Sequence, residues 1–204
     1  MDDTPPRLHL ASRSPRRAEL LEQIGVRFTR IDAEVDETPR PGEAPGDYVR
    51  RVTRDKGRAG WAQVEGCADA LVLAADTAVV VDAEILGKPR DRGHALEMMG
   101  LLSGRCHRVL TAVALVGGAG EAVRVCETEV RFRPVSPAEA ARYWESGEPR
   151  DKAGGYAIQG LGAVFVAAIT GSYSAVMGLP LFETAALLAE AGLSPLAPPA
   201  PGAG

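Results

Sequence analysis

The stretch ALVLAADTAVVV, Ala70 to Val81, does most to narrow the folds open to this chain. Six apolar residues precede Asp76, and a β-branched run follows it almost at once. A short run of this kind, bounded by turn residues, reads as a strand buried in a sheet. The reading here is a buried strand over ALVLAAD that ends at Asp76, with AVVV directly after it. Helical patterns lie before and behind. Pro15 to Ile24 reads as a helix, with Ser14 at the N-cap, Pro15 in the first turn and Gly25 as its stop. Asp47 is read as the cap of a long, Arg/Lys-studded helix running to about Glu65. Strands at Arg7–Ala11 and Val26–Ile31 complete an alternation that predicts an α/β fold with a mixed sheet.

Beyond Val81, Asp82-Ala83 turns the chain, and Asp91 caps a helix that ends at Gly104. HRVLTAVALV and EAVRVCETEVRFR read as a hairpin joined by GGAG. Ser136-Pro137 opens a helix ending near Gly147. GAVFVAAI reads as a late strand, TGSYSAVMG as a loop and Pro180–Ala191 as a final helix. The hairpin is a candidate for a smaller lobe, which would leave a cleft where ligands bind. The 204 residues therefore suit one domain over 1–191 with two lobes, and a Pro/Ala/Gly-rich tail over 192–204 that is expected to be disordered.

A formal net charge of -4 argues against a general nucleic-acid binder. Cys67, Cys106 and Cys126 form no CxxC pair and read as reduced, small apolar residues. The three histidines share no ligand spacing, no apolar run has the length of a membrane span, and no signal peptide is seen at the start.

Several segments carry candidate chemistry. In LASRSPRRAELL, Arg16 and Arg17 fall in the first turn of a helix, where like charge costs from a few tenths to about 1 kcal/mol each. An anion reverses that sign. Backbone N–H groups, the Ser12 and Ser14 hydroxyls and two guanidinium forks would hold a phosphate. Two solvated arginines pairing with Glu19 or another acid explain the pattern equally well. Asp76, isolated among apolar residues, needs a cation, a metal or strong donors, unless it is a turn Asp bonded to local backbone. Lys88 in LGKPRD stands one short hairpin behind it, either exposed or facing the same cleft. EVDE supplies Glu34, Asp36 and Glu37, solvated or available to Mg²⁺ or Mn²⁺. Lys56 lies on the long helix among arginines. Gln159, among glycines, either reads a base edge or sits exposed in a tight loop. No Walker loop or GxGxxG accompanies these features.

Together, LASRSPRRAELL, EVDE, the lysine of RDKGRAG, AADTAVVVDAEILGKPRD, LSGRCHRVLTAV, DKAGGYAIQGLGAVFV and GSYSAVMGLPL resemble the Maf family of nucleoside triphosphate pyrophosphatases. The likeness leans to the branch acting on dTTP and UTP. It implies the Maf fold, similar to that of inosine triphosphate pyrophosphatases, with a central cleft. It implies hydrolysis of a nucleoside triphosphate to monophosphate and pyrophosphate with a divalent metal, Mg²⁺ or Mn²⁺. Cytoplasmic, often homodimeric members are implied, with house-cleaning of non-standard nucleotides and arrest of septum formation as associated roles. Asp76 matches the family's proton acceptor, and Ser12, Arg16, Arg17, Glu37, Lys56 and Lys88 its polar catalytic set. Arg16, Thr77 and Gln159 fall where the pyrimidine branch is distinguished. Expected roles follow: Asp76 and Glu37 hold metal, the cations bind phosphate, and Thr77 and Gln159 read the base. Two alternatives stand beside this: a non-catalytic nucleotide-binding regulator of septum formation, and a same-fold enzyme preferring a purine or modified guanine.

Overall fold

The computed structural model describes residues 8–67 and 69–195. The chain begins β1 (Leu8–Ala11), α1 (Pro15–Gln23), β2 (Thr29–Ile31), α2 (Pro45–Trp61), β3 (Leu71–Val81) and β4 (Glu84–Leu86). Then come α3 (Arg92–Leu102), β5 (Cys106–Gly117), β6 (Gly120–Phe132), α4 (Pro137–Glu145), β7 (Val166–Thr170), α5 (Tyr173–Met177) and α6 (Leu181–Glu190). Among the described residues, seven strands form one mixed sheet in the order β2-β1-β3-β5-β6-β7, with β4 on β3. β1 is parallel to β2 and β3, and the other pairings are antiparallel. This is the expected α/β architecture with a mixed sheet between helices.

β3 runs through Asp76 without ending, so the expectation of a strand end there was mistaken. What changes near Asp76 is the neighbour. β1 pairs with β3 at Leu71–Ala74, and β4 takes the same edge only from Val79. Between them, Ala75 to Ala78 have no strand partner on that edge among the described residues. A polar residue is tolerable in that gap because the sheet opens to solvent and side chains there.

The period-2 alternation of β3 sends its residues to two layers. Val72, Ala74, Ala78 and Val80 face α2, whose Val49 and Val52 are fully buried. Leu73 and Ala75 face the other layer, in a cluster with Leu20, Leu21, Leu187 and Leu188 of α1 and α6. Each such buried leucine contributes on the order of 2 kcal/mol. Gly57 and Gly60 let α2 lie close to the sheet. A Cβ on Gly57 would come within 2.8 Å of Val116, and one on Gly60 within 2.9 Å of Val72.

Other local expectations shift. α2 starts at Pro45 behind Ala44, so Asp47 lies within the first turn and is not the cap, and the helix stops at Trp61. Ser14 has the extended backbone of an N-cap, but its side chain makes no cap bond. The capping boundaries at Asp91 and Ser136 stand, each accepting from a backbone N–H three residues on. The hairpin is continuous with the sheet: β5 pairs with β3 along ten residues in its middle. The first half of GAVFVAAI is a 3-10 segment, Leu161–Phe165, and the strand begins only at Val166. TGSYSAVMG contains the short helix α5. Cys67 and Cys106 are exposed, so they are not core residues. Leu193, in the tail segment, packs onto the α1–α6 cluster. Arg7 and residues 196–204 lie outside the described residues. No helix among the described residues is long and apolar enough to cross a membrane.

Candidate active site

A cleft of about 740 Å³ opens over the unpaired edge of β3, beyond the C-terminal ends of the parallel strands β1 and β2. Such strand ends are where open α/β sheets hold ligands. All nine residues that the family resemblance matched line this one cleft: Ser12, Arg16, Arg17, Glu37, Lys56, Asp76, Thr77, Lys88 and Gln159.

Its centre is an ammonium between two carboxylates. Lys56 Nζ lies 2.7 Å from Asp76 Oδ1 and 2.7 Å from Glu37 Oε1. Lys56 and Asp76 are both buried. Asp76 shares the α2-facing side of β3, and the close approach at Gly57 brings the neighbouring Lys56 down onto it. Charge pairing answers the question raised by a carboxylate in an apolar run. Burial alone would push the Glu37 carboxyl up. The hydrogen bond and charge of Lys56, with Lys88 and Arg17 behind it, outweigh that and hold it below the usual glutamate range.

Two further α2 residues fix the loop that brings Glu37 in. The Tyr48 hydroxyl donates to the Glu37 carbonyl at 3.0 Å. Arg51 donates to the Asp36 and Thr38 carbonyls at 3.4 and 3.1 Å, and to both Glu43 carboxylate oxygens at 2.6 and 2.9 Å. Of the EVDE acids, only Glu37 meets Lys56. Asp36 accepts from the Thr38 N–H, and Glu34 pairs with Arg13.

The arginines of α1 divide. Arg17 is half-buried and meets only neutral acceptors: Nε donates to the Gly178 carbonyl at 2.8 Å, Nη1 to Ser12 Oγ at 3.2 Å and Nη2 to Thr77 Oγ1 at 3.4 Å. Burial lowers its pKa, and the charge of Asp76 counters that. A guanidinium remains protonated regardless, so positive charge is left unneutralised on the cleft floor. Arg16 has no hydrogen bond or ion pair with any described residue; against burial, the hydrogen bond and charge of Lys152, with Arg16 adding to them, hold the Asp151 carboxyl below the usual aspartate range. Neither arginine pairs with Glu19, so that partner of the solvated-pair alternative is absent among the described residues. The acid partners belong to Arg13, which bridges Asp32 and Glu34 at the surface.

Thr77 points to the opposite layer from Asp76. Its hydroxyl is 3.1 Å from that of Thr111, which itself donates to the Ala175 carbonyl at 2.7 Å. The proton order is then Arg17 to Thr77 to Thr111 to Ala175. Lys88 is exposed on the cleft and unpaired among the described residues, and Gln159 is exposed at its rim.

Tyr48, Arg13 and Lys152 also line the cleft, and Arg51 ties down its acid loop; none of the four was anticipated. One signal was available for α2. Val49, Val52, Lys56 and Gly60 follow the i, i+3, i+7, i+11 stripe of a buried helix face, so Lys56 was never a surface charge. Nothing local marks Arg51, whose partners depend on how the loop folds back.

The chain has close relatives. A Nitrosomonas europaea protein named dTTP/UTP pyrophosphatase is 53% identical over 197 residues, covering 92% of this chain and 95% of its own. A Methylococcus capsulatus protein of the same name is 54% identical over 187 residues, with 92% of each covered. Among solved structures, a nucleoside-triphosphatase/dITP/XTP pyrophosphatase of Mycobacterium abscessus overlaps only partially, over 62% of this chain and 72% of its own, at 20% identity and a TM-score of 0.39. The family model for Maf-like proteins matches residues 7–191, and the chain belongs to the Maf family.

Proposed function

We propose that this cleft hydrolyses nucleoside triphosphates, dTTP and UTP foremost, to the nucleoside monophosphate and pyrophosphate. The observation that carries the reading is the buried Lys56 ammonium held between Asp76 and Glu37, beside an Arg17 guanidinium with no acid partner among the described residues. The names of the relatives at 53–54% identity support the substrate.

Cleavage between the α and β phosphates needs an aimed water, a proton acceptor and charge relief on the departing pyrophosphate. Arg17 and the N-terminus of α1 supply the fixed positive floor, with Ser12 beside them. Arg16 and Lys88, with no ion pair among the described residues, close on the phosphates from the rim. Asp76 accepts the proton of the attacking water. Lys56 holds the Asp76 and Glu37 carboxylates in register and offsets their repulsion. Thr77 and Gln159 discriminate the base, with Arg16 tied to specificity.

The donor set fits a divalent cation shared with substrate. Mg²⁺ is commonly held by one or two carboxylates plus phosphate oxygens. Glu37 and Asp76 supply two, and no cluster of three metal-binding side chains exists among the described residues. When bound, Mg²⁺ or Mn²⁺ supplies neutralisation of phosphate charge and a more acidic water. On this reading residues 1–191 form one catalytic domain with a lobe on either side of the cleft, acting as a cytoplasmic homodimer.

The test is incubation with dTTP or UTP and Mg²⁺, followed by an assay for pyrophosphate. Release from both is expected. Release from no triphosphate would favour a nucleotide-binding regulator, and release only from purine or modified guanine nucleotides would correct the base assignment.

A further inference from the structure

The loop carrying Gln159 is built over one carboxylate, that of Glu148. Glu148 follows α4 and is half-buried. Its Oε1 accepts from the Tyr143 hydroxyl at 2.6 Å and from the Gly162 N–H at 3.0 Å. Its Oε2 accepts from the Leu161 N–H at 2.9 Å. The oxygen of buried Tyr143 in turn accepts from the Ala157 N–H at 3.0 Å. The anchored N–H groups stand two residues before Gln159 and two and three residues after it. The loop lies directly on these side chains. A Cβ on Gly160 would come within 2.0 Å of Glu148 Oε2, and one on Gly162 within 2.6 Å of the Tyr143 oxygen.

Hydrogen bonds to an ionised acceptor are about twice as strong as neutral ones. Burial would push the Glu148 carboxyl up, and the bonds from Tyr143, Gly162 and Leu161 outweigh it, holding it below the usual glutamate range. The carboxylate is therefore present at neutral pH as a fixed template. A loop of this length bonded only to itself would let a terminal amide wander, and a misplacement of about 1 Å can cost a hundredfold.

We infer that Glu148 and Tyr143 are positioning residues for base discrimination, holding the Ala157–Gly162 loop so that Gln159 meets the base in one geometry. This rests on the reading that Gln159 contacts the base. UTP and CTP are matched in shape and differ in the hydrogen-bonding edge that an amide reads, so their kcat/KM ratio isolates the effect.

The experiment compares that ratio in the full-length wild type, Glu148→Gln, Tyr143→Phe, Gln159→Ala and the double variant E148Q/Q159A, at fixed Mg²⁺. Thermal unfolding monitors the fold, and Y143F removes only a hydroxyl should E148Q fold poorly. E148Q leaves an N–H donor facing a backbone donor, and a drop in the UTP/CTP ratio of about tenfold is expected. Y143F is expected to move it the same way, and the double variant to lose no more than Q159A alone. KM for UTP should change more than kcat. If Q159A lowers the ratio while both E148Q and Y143F leave it unchanged, the positioning inference is wrong and the base contact stands. If Q159A itself leaves the ratio unchanged, the base contact fails and the inference with it.

Discussion

On the α2 side of the cleft, the Lys56 ammonium meets two carboxylates at 2.7 Å each; on the α1 side, the Arg17 guanidinium meets three neutral oxygens. Both cations sit low in the same cleft, yet one is fully compensated and the other is not. The Lys56 cluster holds one positive and two negative charges, and the negative charge left over suits a cation. The uncompensated guanidinium is completed by an anion. Within one cleft, the protein thus separates the group that must stay put, a proton acceptor and its support, from the surface that must bind phosphate.

Substitutions should show that asymmetry. The largest effect is expected at Asp76, which is buried against Lys56. Asp76→Asn keeps the size and removes the proton acceptor, and turnover should drop at least about a hundredfold. Near-normal pyrophosphate release by D76N would break the assignment.

Lys56→Met and Arg17→Met should then diverge. K56M strands two carboxylates, one of them buried, and should lower the unfolding free energy by about 3 kcal/mol in denaturant titrations. R17M strands only neutral groups and should cost clearly less stability, while raising KM for the triphosphate. Equal stability losses would erase the distinction between the two regions.

A smaller, pH-dependent difference is expected at Glu37. Its folded pKa lies below its unfolded one, so it contributes stability above the ordinary glutamate range and loses it as pH falls through the lower folded value. The stability gap between wild type and Glu37→Gln should be widest at neutral pH and close in acid. A gap that grows in acid would reverse the sign of the Lys56–Glu37 pairing. The smallest effect belongs to Arg13, whose exposed pairs with Asp32 and Glu34 are the kind that rarely matter. Arg13→Ala should leave the thermal midpoint essentially where it was, and a marked drop would show that the acid loop hangs on that contact.

Much of this contrast was legible in the residues. Asp76 announced itself by interrupting an apolar run, and Arg16-Arg17 by standing where a helix tolerates positive charge least. The alternation of strands and helices was enough for the sheet class. The partnerships were not legible, because they depend on register between distant segments. That Asp76 faces α2 and Thr77 the opposite layer follows from which helices cover each face of β3. That Arg17 reaches Gly178 spans most of the chain. β3 looked finished at Asp76 because sequence shows the polar residue and not the gap between β1 and β4. GAVFV has the composition of a strand, but the N–H groups of Leu161 and Gly162 at its start are pinned at Glu148, and the chain tightens into a 3-10 segment there. Tyr143 and Glu148 look like ordinary helix-end residues until the loop over them is seen.

The central claim is that this cleft aims water at the α phosphorus. Hydrolysis of UTP in ¹⁸O-enriched water, with Mg²⁺, tests it most directly by mass spectrometry of both products. Label is expected in the phosphate of UMP and none in the pyrophosphate. Label in pyrophosphate, or release of inorganic phosphate in its place, would contradict it.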